Sequence, residues 1–151
     1  MSQSFSDVCI HLVFSTKKRR RYFQRPEIRD GIHAYLGRVS NELDCPALKV
    51  GGVDDHVHLL CGFSRTITIA NWIKELKRIS NLWLKQQDEA FADFEWQGGY
   101  AVFSVSHSNI ERVKGYIARQ EQHHRKISFQ DELRALLRKH AIEWDERYVW
   151  D

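Results

Sequence analysis

The sequence predicts an α+β fold: a ferredoxin-like split βαβ antiparallel sheet with helices on one face and additional C-terminal helices. Three observations predict it. Strand-like and helix-like hydrophobic periods alternate in the order strand, helix, strand, strand, helix, strand. Two further helical stretches follow the last strand. The length of 151 residues, with 42% hydrophobic residues, eight glycines and two prolines, suits a single globular domain spanning 1–151.

The first strand is expected over Asp7 to Phe14, where Val8, Ile10, Val13 and Phe14 supply β-branched and aromatic residues. Pro26 at a first helical position opens a helix to about Leu43, with Ile28, Ile32, Tyr35, Leu36 and Val39 at helical spacing. Ala47 to Val53 and His56 to Phe63 read as a hairpin turning at Asp54 and Asp55. From Ile69 to about Gln87 the 3-4 rhythm of Trp72, Ile73, Leu76, Ile79 and Trp83 predicts an amphipathic helix capped by Thr66 or Thr68. Residues 88–99 form a loop, and Tyr100 to Ser106 alternates as a fourth strand. Ser108 or Asn109 caps a helix from Ile110 to about His124, and a last helix runs from Ser128 to Lys139, with Glu132 offering reciprocal capping.

No apolar run approaches the ~18 residues of a membrane span, and the polar start lacks a secretory signal pattern, so a soluble cytoplasmic protein is expected. Cys9, Cys45 and Cys61 are too widely spaced for a Cys-x-x-Cys metal site and read as buried small hydrophobes. The net charge of +3 is too small to predict a nucleic-acid partner by itself.

His56 and His58 are two apart on a strand, which places both imidazoles on one face with Cα atoms about 6.6 Å apart, close enough to converge on one cation. Tyr116 and Gln120, four apart, share one face of a helix. Read separately, these are a histidine pair in a hydrogen-bonded setting and a tyrosine at the edge of an apolar stripe.

Together, Val13-Phe14-Ser15-Thr16-Lys17, Gly52 to Leu60 with His56-Val57-His58, Gly99 to Ser106, and Tyr116-Ile117-Ala118-Arg119-Gln120 resemble the HUH-type tyrosine transposases of small insertion sequences. These are single-strand DNA transposases related to the REP-associated tyrosine transposases. The resemblance covers essentially the whole chain. It implies that Tyr116 is the nucleophile, that His56, His58 and Gln120 ligate Mg²⁺ or Mn²⁺, and that cleavage passes through a 5′-phosphotyrosine with no nucleotide cofactor. It also implies single-stranded DNA with hairpin ends as substrate and a homodimer, with the tyrosine helix serving its own or its partner's histidine pair.

Lys17, Lys18, Arg19, Arg20 and Arg21 form a basic run suited to neutralising phosphates, and Lys74, Lys77 and Arg78 add a second cluster on the second long helix. Neither cluster reads base sequence. His123 and His124 are taken as solvated helix residues, and Trp96 as buried. Two competing functions remain: a REP-associated housekeeping DNA nuclease or strand transferase, and a catalytically silent DNA-hairpin binder. Relatives of the first kind carry asparagine-proline after the tyrosine; Ala118-Arg119-Gln120-Glu121 departs from that pattern. The intact His56, His58, Tyr116 and Gln120 set weighs against the second.

Overall fold

The computed structural model describes residues 2–151. Strands β1 (Cys9–Ser15), β2 (Ala47–Gly52), β3 (His56–Gly62) and β4 (Ala101–Val105) form one sheet in the order β2-β3-β1-β4, with every neighbouring pair antiparallel. Helices α1 (Pro26–Glu42) and α2 (Ile69–Gln87) make the two crossovers of the split βαβ unit. α3 (Ile110–Ala118), α4 (Gln120–His123) and α5 (Phe129–Lys139) follow β4. The expected order of strands and helices holds through β4.

Strand alternation divides the molecule into layers. Ile10, Leu12 and Phe14 of β1 and Val57, Leu59 and Cys61 of β3 face α1 and α2, where they meet Ile32, Leu36, Trp72, Ile73 and Leu76 in the main core. Each such fully buried side chain contributes about 1.5–3 kcal/mol through loss of apolar surface from water. The opposite face carries Val13 against Phe129, Leu133 and Leu137 of α5, and Cys9 and Leu60 against Ile117 of α3. The additional C-terminal helices therefore cover the face that α1 and α2 leave open, and the odd-numbered residues of β1 and even-numbered residues of β3 are sealed between sheet and helices. All three cysteines are free and buried, as their spacing suggested. No helix among the described residues is long and apolar enough to cross a membrane.

Thr68 caps α2 by accepting a hydrogen bond from the Asn71 amide, and Ser128 caps α5 by accepting from the Asp131 amide. Asn109 precedes α3 without a side-chain cap; a short 3-10 turn, His107–Asn109, leads into the helix instead.

The single helix expected from Ile110 to His124 is two. Arg119 leaves helical geometry (φ −100°, ψ 20°), and its amide is shared between the carbonyls of Gly115 and Tyr116. Its guanidinium folds back over Gly115, where a Cβ would stand 2.9 Å from Nη1. Glycine at 115 gives that side chain room, and the chain restarts as α4 at Gln120.

Candidate active site

The hairpin that carries the histidines depends on glycine. Gly52 has a φ of 150°, and a Cβ there would lie 2.2 Å from the His56 carbonyl oxygen. At Gly51 a Cβ would lie 2.7 Å from Ile117 Cγ2 and 2.8 Å from the Ile117 carbonyl, so this glycine lets α3 rest directly on β2. That close seating sets the position of Tyr116, one residue before Ile117.

His56 and His58 are fully buried and each is fixed through Nδ1. Asp55 Oδ1 lies 2.7 Å from His56 Nδ1, and His11 Nε2 lies 2.8 Å from His58 Nδ1. Both rings consequently present Nε2 to the same space between β3 and the C-terminal helices. His56 Nε2 donates to Gln120 Oε1 at 3.0 Å, and His58 Nε2 donates to Glu132 Oε1 at 3.0 Å.

Glu132 is the centre of the arrangement. Its Oε1 is 3.0 Å from His58 Nε2, 3.1 Å from His124 Nε2 and 3.3 Å from His56 Nε2. Its Oε2 accepts hydrogen bonds from the Tyr116 hydroxyl and, at 3.0 Å, from Gln120 Nε2, with His123 Nε2 3.3 Å away. One carboxylate thus joins the histidine pair to the tyrosine and glutamine, all within a single chain. Within this chain the Tyr116 hydroxyl and the two histidines contact the same carboxylate.

A family profile described as "Transposase IS200 like" matches residues 4–120. The chain belongs to the IS200-like transposase family.

Among solved structures, a Deinococcus radiodurans R1 protein designated as a transposase shares the fold of this transposase at a TM-score of 0.59. It is 23% identical over 80% of this chain and 98% of its own. A REP-associated tyrosine transposase bound to a REP hairpin gives the same TM-score of 0.59 at 11% identity, over 82% of this chain and 74% of that one. A comparison with curated proteins finds no match.

The transposase has a donor set that fits a divalent cation. One ligand atom each from His56, His58, His124 and Glu132 lie within 4.8 Å of one another, mixing imidazole nitrogen with carboxylate oxygen as Mn²⁺ and similar ions accept. The Nε2 atoms of His123 and His124 are buried without a hydrogen-bond partner, an unusual state for polar atoms that face a carboxylate. Asp55 and His11 supply the outer hydrogen bonds that fix a ligating imidazole's tautomer and direction.

Burial opposes protonation of His56, but the carboxylates of Asp55 and Glu132 outweigh it and lift its pKa to about 9. Burial lowers His58, and burial with the neighbouring His58 lowers His11 to about 3. His33, partly buried on α1, falls to about 4 because burial disfavours its charged form. Burial would raise Glu132, yet His58, His124 and His56 hold it well below the usual carboxylate range. Tyr116 is raised above an ordinary phenol by burial and by the adjacent carboxylate.

These shifts give the metal-free transposase a stability maximum near neutrality. The unfolded chain takes up protons on His11 and His33 below pH 6.5 while the folded one does not, so stability is lost as pH falls toward 4 and 3. His56 acts oppositely: its stabilisation is complete below 6.5 and is lost as pH rises through about 9. Melting temperature in chelator should peak near pH 6.5. A continuous rise from pH 5 to pH 9 contradicts this account.

The structure brings together His56, His58, Tyr116 and Gln120, and adds residues that sequence reasoning passed over. Asp131, not Glu132, stands three residues after the Ser128 cap and donates its amide to the Ser128 hydroxyl; the Glu132 side chain turns to the imidazoles and makes no cap. His123 and His124 are not free in solvent: His124 is almost wholly covered and His123 partly so, each with Nε2 near Glu132, and His124 Nδ1 donates to the Ile127 carbonyl at 2.7 Å. Asp55, read only as a turn residue, orients His56.

The basic residues divide. Lys18, Arg19 and Arg21 line a cavity of about 790 Å³ whose walls include Asp55, His124 and Arg125, so the loop after β1 opens beside the site. Lys18 and Arg19 turn through positive φ, 56° and 54°. Lys17 pairs with Glu95 at 2.7 Å, Arg21 approaches Asp54 at 3.7 Å, and Arg20 is exposed. On α2, across the sheet from the histidines, Lys74 is exposed and Arg78 pairs with Glu75 at 2.7 Å. Lys77 is turned inward. Its ammonium donates to the carbonyls of Gln97 and Gly99, both at 2.8 Å, and burial lowers its pKa to about 8. Trp96 is buried with its indole donating to Ser80. Trp144 and Trp150 pack beside α5, whereas Tyr148 is exposed.

Proposed function

We propose that this transposase cuts and rejoins single-stranded DNA at structured ends through a 5′-phosphotyrosine. The observation that carries this reading is the convergence of the Tyr116 hydroxyl, His56, His58 and Gln120 on one buried point, together with the family assignment. The Tyr116 oxygen bonds to phosphorus and releases its proton; the phosphorus–O3′ bond breaks and the departing strand end takes a proton to become a 3′-hydroxyl. The phosphoester energy stays in the tyrosyl link, so attack by a second 3′-hydroxyl rejoins DNA without a nucleotide cofactor.

His56, His58 and Gln120 would hold Mg²⁺ or Mn²⁺, and a bound divalent ion supplies Lewis-acid stabilisation of charge on the nonbridging phosphate oxygens. Asp55 and His11 keep both histidines aimed. Gln120 ties the carboxamide to both His56 and Glu132, fixing its own rotamer. The protein acts in the cytoplasm, and the homodimer implied by the resemblance would carry two complete sites, one in each chain.

The loop after β1 guides the strand. Lys18 makes no ion pair among the described residues and faces the cavity beside the site. Lys18→Gln should weaken hairpin binding at low salt and reduce the slope of log K against log salt by about one. An unchanged slope removes Lys18 from the DNA path. The function itself is tested by incubating the protein with single-stranded hairpin DNA drawn from the flanks of its gene, with Mn²⁺. A denaturation-resistant complex carrying the 5′ end of the cut fragment supports the proposal; cutting that leaves no protein on the DNA rejects it.

A further inference from the structure

Glu132 lies beyond the residues that the family profile matches and is carried by a different helix from Tyr116 and Gln120. It nonetheless occupies the middle of the site. A buried carboxylate there either fills the place of an incoming phosphate or belongs to the cation's shell. Three features of the geometry favour the second.

First, Oε1 stands 3.0, 3.1 and 3.3 Å from the Nε2 atoms of His58, His124 and His56. Neighbouring ligands on an octahedral ion with bonds of about 2.1 Å stand about 3.0 Å apart, so a cation could take the place of the protons that now link these imidazoles to Oε1 with little movement of either. Second, His124 is held through Nδ1 by the Ile127 carbonyl, and its Nε2, buried without a hydrogen-bond partner, lies 3.1 Å from Oε1. A cation shared with Oε1 would give that buried nitrogen a partner. Third, the two carboxylate oxygens are divided in their tasks: Oε1 faces only imidazoles, while Oε2 takes the hydrogens of Tyr116 and Gln120.

We propose that Glu132 is a ligand of the divalent cation through Oε1, with His124 as an additional imidazole donor, and that Oε2 positions the Tyr116 hydroxyl against that cation. The inference rests on the metal-dependent reading above and deepens it. It changes the expected donor set from two imidazoles and a neutral amide to one that carries a negative charge, which binds a divalent ion more tightly and does so before DNA arrives. Mn²⁺, tolerant of nitrogen with oxygen donors, suits this set better than Mg²⁺.

The test is Mn²⁺ binding to the full chain without DNA, read by the electron paramagnetic resonance signal of the free ion. Glu132→Gln should weaken binding at least about tenfold, and Glu132→Asp, which keeps the charge, should lie between it and wild type. Isotope-edited infrared spectroscopy of wild-type protein labelled with ¹³C-carboxylate glutamate gives a reading that needs no variant to fold: one glutamate's carboxylate stretches should shift when Mn²⁺ is added. Unchanged or tighter binding by Glu132→Gln, or unshifted stretches on saturation, overturns the assignment and leaves Glu132 as a plug that DNA must displace. His56→Ala separates the two levels of the claim. If it abolishes binding while Glu132→Gln does not, only the Glu132 assignment fails; if neither matters, the metal-dependent reading fails with it.

Discussion

Tyr116→Phe should abolish covalent capture of DNA and leave hairpin binding near wild type. The substitution removes one oxygen and keeps the ring that packs beside His11 and His58. It deletes the hydrogen bond to Glu132, but that carboxylate retains Gln120 and the imidazoles as partners, so the site remains closed. A phenyl ring has no atom able to bond phosphorus, and loss of a nucleophile removes the covalent pathway entirely, a fall of at least about 10⁴-fold in adduct formation. Electrophoresis of labelled hairpin DNA under denaturing conditions reads the adduct, and a filter-binding isotherm reads affinity. An adduct that persists in the Phe variant means that another residue attacks.

His56→Ala should reduce Mn²⁺-dependent cleavage by about 10³-fold while hairpin affinity changes little. A Lewis acid contributes several kcal/mol to a phosphoryl-transfer barrier, and each 1.36 kcal/mol is a factor of ten. Without this imidazole the site loses the ring fixed by Asp55, and Gln120 loses the partner that orients its Oε1. The variant also leaves Asp55 and Gln120 short of partners, so its melting temperature should fall in chelator as well as in Mn²⁺. The decisive comparison is cleavage against binding on the same folded preparation. Cleavage at the wild-type rate with undiminished Mn²⁺ dependence excludes His56 as a ligand.

Much of this was legible in the chain because the fold is written in local periodicity. The helix from Ile69 to Gln87 carries its 3-4 rhythm and its cap within a few residues, and the His56 and His58 pair needed only strand alternation to be placed on one face. The pairing of Tyr116 with Gln120 survived even though the helix between them breaks, since both side chains still reach the same carboxylate. What was hidden is long-range. Glu132 sits at the start of an amphipathic helix among ordinary capping signals, and nothing within its own segment distinguishes it from a solvated acid; only the packing of α5 on β1 and β4 delivers it to β3's histidines. His123 and His124 were concealed by the break at Arg119, which changes the direction that regular helical spacing would give them. Lys77 was misleading for a different reason: its long stem lets the ammonium reach inward to backbone carbonyls that lie twenty or more residues away.

The account stands most directly on where the DNA is attached. Peptide mapping by mass spectrometry of the protein trapped on a cleaved hairpin, after nuclease trimming, should find a nucleotide 5′-phosphate on the peptide containing Tyr116 and on its phenolic oxygen. Attachment to any other side chain, or a 3′-phosphate linkage, contradicts the account.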